Sequence, residues 1–215
     1  MSFIDREDAG RRLAERLGRY RGDAKALVVA LPRGGVSVGR VVADGLGLPL
    51  DIVVPRKIGA QSNREYAIGA ITEEGHVVWN EAERSKTDPD YLNQAVLEEQ
   101  AEAKRRLVRF RGDRPPRDWH GRTVIVVDDG IATGFTMLAA LKTVRSFRPA
   151  RVVVAVPTAP PDVEQVLAGQ ADELIVLEKP TLFRAVGAQY RDFGQVSDNQ
   201  VVELLERKST RPSSG

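Results

Sequence analysis

Cysteine is missing from all 215 residues, which excludes disulfides, a thiol nucleophile and thiolate-held metals. Histidine is nearly missing too: His76 and His120 are the only 2, too few for an imidazole-rich metal centre. No apolar run approaches the length of a membrane span, and the opening MSFIDREDAGRRLAERL mixes acidic and basic residues without the apolar core of a signal peptide. Nor does charge of one sign prevail. Lys and Arg number 32 against 30 Asp and Glu, a net charge of +2, so the pI of 9.0 does not by itself point to nucleic acid. A soluble, cytoplasmic protein with no membrane association is the expectation.

With 42% hydrophobic residues, a chain of this length can bury the core of one α/β domain with a small appendage. Residues 3–19 place Leu13 and Leu17 on one narrow face, as in a surface helix, before Arg21-Gly22-Asp23 breaks the pattern. Ala26 to Ala30 is a short apolar strand that runs directly into LPRGG. There Gly34 and Gly35 let the backbone approach a ligand while Arg33 supplies charge; a plain strand-to-helix turn with an incidental arginine fits the same residues equally well. Val36 to Leu46 resumes as helix, and Leu50 to Val54 is a second strand followed by Pro55-Arg56-Lys57.

The polar stretch from Ile58 to Glu65 reads as a mobile loop carrying Arg56, Lys57 and Arg64 and able to close over an anion, or as an ordinary solvated hairpin loop. Ala67 to Thr72 and His76 to Trp79 form a hairpin across Glu73-Glu74-Gly75. Asp88 or Asp90 caps a long helix from Tyr91 to Phe110. Its charged side continues into a basic run of Lys104, Arg105, Arg106, Arg109, Arg111, Arg114 and Arg117, which has no interleaved aromatics and reads first as a solvated helix face. Thr123 to Val127, Arg151 to Val156 and Leu174 to Leu177 are further strands. FRAVGAQYRDFGQVSD has no clean period and reads as a structured loop, Ser197 or Asp198 caps a last helix, and residues 209–215 read as a disordered tail.

Short β-branched strands alternating with helices through Gly- or Pro-rich connections predict an α/β fold with a doubly wound, mostly parallel sheet covered on both faces. Such sheets take their ligands at the carboxyl ends of the strands. LPRGG, VPRK, VDDGIATG and VPTAP each follow a strand directly, so the charged and glycine-rich chemistry converges on one rim. His76 and His120 fall outside it.

The richest of these segments is TVIVVDDGIATGFTM, Thr123 to Met137. A buried strand ends in Asp128-Asp129, and Gly130, Thr133, Gly134 and Thr136 lead into an apolar helix. It lacks the lysine of a Walker A loop, and the chain lacks a GxGxxG turn. The amides from Ala132 to Thr136 and the hydroxyls of Thr133 and Thr136 suit a phosphate at a helix start. Asp128 and Asp129 would repel that phosphate at close range, so they accept hydrogen bonds from sugar hydroxyls nearby or help hold a divalent cation. Sugar and phosphate together imply a phosphosugar ligand.

VIVVDDGIATGFTM resembles the phosphoribosyl-pyrophosphate (PRPP) motif of the type I phosphoribosyltransferases, and LPRGG with the C-terminal YRDF resembles a bacterial group of such proteins with poorly defined acceptor. The resemblance implies a sheet of that family's kind with a small hood. Residues 1–208 would be one domain, with 1–22 and 178–206 contributing helices and hood and 73–120 an inserted hairpin plus long helix. It implies that Asp128 and Asp129 bind the ribose hydroxyls and that Gly130 and Ala132 to Thr136, Phe135 included, cradle the 5-phosphate. Arg33-Gly34-Gly35 would be the pyrophosphate loop, which in that family often holds a non-proline cis peptide, and Arg56, Lys57 and Arg64 would lie on a flexible lid. Arg33, Lys57, Asp128 and Asp129 would form the catalytic group.

By the same resemblance Phe183, Val186 and Tyr190 would line the acceptor pocket, and Asp192 would join Asp128 and Asp129 near Mg²⁺. The implied reaction is Mg²⁺-dependent transfer of a 5-phosphoribosyl group from PRPP to a nitrogenous acceptor such as a nucleobase, in a family whose members are commonly dimers or larger, so that a homodimer is one assembly the resemblance allows. Ala132 stands where the 6-oxopurine enzymes have an aspartate, which argues against hypoxanthine or guanine as acceptor. The alternative is a non-catalytic PRPP or nucleotide sensor that uses the Lys104 to Arg117 face for RNA or a partner protein. A phosphosugar hydrolase is weaker, because the two aspartates lack DxD spacing.

Overall fold

The computed structural model describes residues 2–207; the expected tail, 209–215, lies outside them. In chain order the elements are α1 (Arg6–Arg16), β1 (Ala26–Ala30), α2 (Gly34–Leu46), β2 (Leu50–Ile52), β3 (Arg56–Ala60), β4 (Asn63–Ile71), β5 (Val77–Trp79), α3 (Glu81–Arg84) and α4 (Pro89–Arg111). They continue with β6 (Thr123–Val127), α5 (Phe135–Ser146), β7 (Arg151–Thr158), α6 (Val163–Val166), β8 (Glu173–Glu178) and α7 (Asp198–Glu206).

β1, β2, β6, β7 and β8 form a parallel, 5-stranded sheet in the order β2-β1-β6-β7-β8. Its strands are apolar on both faces because both are covered, and alternate residues sort to opposite layers. Val28, Ile125 and Val127 point into a core with Leu13 of α1, Val38 and Val42 of α2 and Leu205 of α7. Leu27, Val29, Val124 and Val126 point into the other, with Met137 and Leu141 of α5 and the fully buried Trp119. The connection from β1 to β2 therefore runs over one face and that from β6 to β7 over the other. This is the doubly wound arrangement, with its switch point between β1 and β6, where such sheets open a crevice for ligands.

A second, antiparallel sheet of 3 strands, β3-β4-β5, flanks α4. Its first hairpin occupies the stretch expected as a polar loop. The exposed residues Asn63 to Tyr66 belong to β4, where Asn63 pairs with Ala60 of β3 across register shifts around Gly59. Gly59 permits this crossing, because a Cβ there would overlap the backbone of Arg64, and Tyr91 of α4 holds the bend by donating to the Gly59 carbonyl at 2.8 Å. β2 stops at Ile52 and not at Val54 because the Val54 N–H leaves the ladder for the Glu73 carboxylate, at 2.9 Å. The last helix begins as anticipated, with Ser197 accepting from Gln200 N and the Gln200 side chain accepting in return from Ser197 N.

Candidate active site

Asp128 and Asp129 leave the end of β6 at the switch point, and the start of α2 packs directly on them. Gly34 and Gly35 make that approach: a Cβ on Gly34 would sit 2.7 Å from Asp129 Cγ, and one on Gly35 2.7 Å from Asp128 Oδ1. The glycine pair of LPRGG thus fits the acidic pair of VVDDG across the two central strands, and the Pro32–Arg33 peptide that precedes it is cis. Gly34→Ala is expected to force the carboxylates out of position. A shift near 1 Å in such a site costs about 100-fold in function; the displacement itself would be measured as a change in the side-chain carboxyl resonances of Asp128 and Asp129 by NMR, with circular dichroism reporting that the fold persists.

The acidic pair is electrostatically tense. Burial raises the pKa of Asp128 well above the carboxylate range, and the adjacent Asp129 charge raises it further. Burial also raises Asp129, against which the guanidinium of Arg6 pulls, with Nε donating to Asp129 Oδ2 at 2.8 Å. Tyr190 lies beneath, buried, and its hydroxyl donates to the Asp129 carbonyl at 2.6 Å.

Beyond the pair, Gly130 passes against Val186 and Thr158 with no room for a side chain. Gly134 adopts φ of 82°, the left-handed turn that starts α5 without a side-chain cap. The first amides of a helix have no intrahelical acceptor, so those at the start of α5 are available to an anion, flanked by the exposed Thr133 and the half-buried Thr136.

Opposite stand the cations. Lys57 lines the cleft from β3, and Arg56 is paired with Glu99 of α4 at 2.8 Å. Arg64, largely exposed on β4, reaches Glu98 at 3.9 Å. Arg33, 39% exposed, lies 3.6 Å from Asp198 at the start of α7. These walls enclose an open cleft of about 630 Å³.

Of the residues singled out in the sequence, Arg33, Gly34, Arg56, Lys57, Arg64, Asp128, Asp129, Gly130, Ala132, Thr133, Thr136 and Val186 line this cleft. Gly35, packed on Asp128, Gly134, packed on Val166, and Phe135 are not among the lining residues. Three others do not line it. Phe183 lies outside the lining, Tyr190 is packed under Asp129, and Asp192 is exposed, with its carboxylate accepting from Gly194 N at 3.2 Å. The hood instead offers Val186 and Phe193, together with Arg6 of α1, which was not singled out in the sequence; Tyr91, Glu98 and Glu99 of α4 complete the far wall. Nothing local distinguishes Arg6 from the other arginines of its helix. Its role arises from contact with Asp129, 123 positions away.

The Phosphoribosyl transferase domain family matches residues 4–178. The chain belongs to this family. It is 45% identical over 207 residues to proteins of two Mycobacterium tuberculosis strains, H37Rv and CDC 1551, each provisionally named a phosphoribosyl transferase. The match covers 95% of this chain but 46% of those proteins, so the chain spans about half the length of these curated relatives. The crystal structure of TT1426 from Thermus thermophilus superimposes with a TM-score of 0.78 at 43% identity, over 95% of this chain and 98% of that one. The α/β architecture, with its parallel sheet and helical appendage, is that of the family.

The basic run from Lys104 to Arg117 is largely paired within this phosphoribosyl transferase fold, and one of its members, Arg106, also lines the cleft. Arg105 and Arg106 pair with Glu102, Arg109 with Asp198, Arg111 with Asp51 and Arg117 with Glu73. Arg114 donates to the Leu50 and Leu205 carbonyls. His76 contacts Thr143 through Nδ1 at 3.0 Å, away from the cleft. Among the described residues, no helix is long and apolar enough to cross a membrane.

Proposed function

We propose that the protein transfers the 5-phosphoribosyl group of PRPP to a nitrogenous acceptor and releases pyrophosphate. The observation that carries this reading is the junction of a buried acidic pair and a Gly/Thr helix start at the switch point, facing Lys57, Arg33, Arg56 and Arg64. A ligand with hydroxyls at its centre, a monophosphate at one end and a larger anion at the other matches that order of charges. Thr133, Thr136 and the free amides of α5 hold the 5-phosphate, and Asp128 and Asp129 accept from the ribose hydroxyls. Arg33 and Lys57 meet the pyrophosphate. Arg56 and Arg64, which pair with Glu99 and Glu98, offer their remaining N–H groups to phosphate oxygens.

As the bond from C1 of the ribose to pyrophosphate breaks, negative charge grows on the leaving oxygen and positive charge on the ring. The cationic wall stabilises the first and the acidic pair sits beside the second. Among the described residues, no group of three or more carboxylates and imidazoles converges as a complete metal cage. The paired Asp128 and Asp129 fit the way Mg²⁺ is usually held, by one or two carboxylates plus substrate phosphates. A bound magnesium ion would supply further charge neutralisation for the leaving group.

Incubation with PRPP, Mg²⁺ and a panel of purines, pyrimidines and amines, followed by pyrophosphate release and nucleotide formation, tests the proposal. Turnover with one acceptor supports it. Tight PRPP binding without turnover would point to a sensor, and a folded protein that does not bind PRPP would overturn both readings.

A further inference from the structure

We propose that the guanidinium of Arg6, laid on Phe193 and clamped at its edge, is the platform against which a flat heteroaromatic acceptor stacks. The inference rests on reading the cleft as a phosphoribosyl transfer site, and it assigns the acceptor wall to a side chain from the first helix.

The N-terminal segment and the hood are joined by backbone. Ser2 N and Phe3 N donate to the Gln189 carbonyl at 2.8 and 3.0 Å, and Arg191 N and Asp192 N donate to the Phe3 and Ile4 carbonyls at 2.9 and 2.8 Å. This short ladder aligns a stack. The rings of Phe3 and Tyr190 lie 5.3 Å apart and those of Tyr190 and Phe193 5.0 Å apart. The guanidinium carbon of Arg6 then sits 3.8 Å from the Phe193 centroid. The stack therefore ends in a guanidinium at the cleft, beside Asp129.

The bonds of Arg6 fix its plane. Nε donates to Asp129 Oδ2 at 2.8 Å and Nη1 to the Gly194 carbonyl at 2.7 Å. Hydrogen bonds to a guanidinium lie in its plane, so these two occupy the edge and one flat face rests on Phe193; the side chain is 13% exposed, and it is to the cleft it lines that the remaining face would be offered. Tyr190 is buried within the stack and Phe183 is outside the lining, so neither offers a ring to the cleft. Arginine planes stack on nucleobases as aromatic rings do. Val186, on the same wall, supplies an apolar edge.

The competing account makes Arg6 only the counter-ion of Asp129. Lysine separates the two, because it keeps the charge and loses the plane. Protein labelled with ¹⁵N-arginine would be titrated with adenine, hypoxanthine, uracil and orotate, with and without PRPP and Mg²⁺, using Arg6→Lys to assign the Arg6 Nε–H resonance. The expected result is a ring-current shift of that resonance with at least one probe, and binding of that probe weakened about tenfold in Arg6→Lys, with PRPP affinity retained. Absence of the shift with every probe would overturn the platform. So would equal weakening of PRPP and probe in Arg6→Lys, the mark of a counter-ion. A shift at Arg6 in a protein that fails to bind PRPP would leave the platform standing and remove the transfer reaction.

Discussion

Asp128→Asn is expected to cut the proposed phosphoribosyl transfer about 100- to 1000-fold while making the ligand-free protein more resistant to heat. The loss of transfer follows from position, since Asp128 stands at the switch point beside the helix start and lines the cleft. Removing one preorganised electrostatic partner of a reacting group costs about 100- to 1000-fold in turnover. The gain in stability follows from sign. Burial and the neighbouring Asp129 raise the Asp128 pKa in the folded state. Between the unfolded and the folded pKa the native protein binds the extra proton, so this group lowers stability as pH rises through that window, and the penalty persists at neutral pH. Asparagine carries no charge to desolvate, and its amide oxygen can still accept the bond that Asp129 N makes to Asp128 Oδ1 at 2.8 Å. A domain of this size gains about 2–4 °C in melting temperature per kcal/mol recovered. Melting curves of the parent and Asp128→Asn proteins at pH 5 and pH 8 would show the difference widening with pH. A variant that melts lower than the parent at pH 8 would contradict this account.

That opposition between stability and ligand binding explains what was legible in the sequence. Ala26–Ala30 and Thr123–Val127 have the boundaries expected from their residues, because a central parallel strand buried on both faces must be an unbroken β-branched or small apolar run. Asp128 and Asp129 were visible for the opposite reason: carboxylates at the buried end of such a strand oppose folding, and their presence there signals a ligand. The hairpin from Arg56 to Ile71 was harder to see. Its outer half is exposed and polar, and its course depends on a close crossing at Gly59 and on Tyr91 from a distant helix. The hood was legible only in part, through Val186 and the Ser197 cap. FRAVGAQYRDF offers an aromatic at each end, and only the ladder between residues 2–4 and 189–192 decides that Phe193, and not Phe183, returns to the cleft.

Glu73→Ala is expected to lower stability by about 3–5 kcal/mol, the usual cost of stranding one member of a buried ion pair. Glu73 and Arg117 are nearly inaccessible, with side-chain exposures of 1% and 4%, and Arg117 Nη2 donates to Glu73 Oε1 at 2.6 Å. The other Glu73 oxygen accepts from Val54 N at 2.9 Å, and Arg117 Nη2 also donates to the Ile52 carbonyl at 2.8 Å. The guanidinium is 5.1 Å from the ring centroid of the buried Trp119. One carboxylate therefore ties together the end of β2, the turn after β4 and the loop that follows α4. Alanine leaves the Val54 amide without its partner and reduces the buried arginine charge to its longer contact with the half-exposed Glu74, at 3.3 Å. At about 2–4 °C per kcal/mol, the melting temperature should fall by about 6–20 °C. Arg117→Met tests the same pair from the other side. The double variant should be less destabilised than the sum of the singles, because it leaves no charge behind. Val54 leads directly through Pro55 into Arg56 and Lys57, so Glu73→Ala should also speed hydrogen exchange along β3 before the main sheet opens. A Glu73→Ala protein that melts with the parent would show that the buried pair is not what anchors the cationic wall.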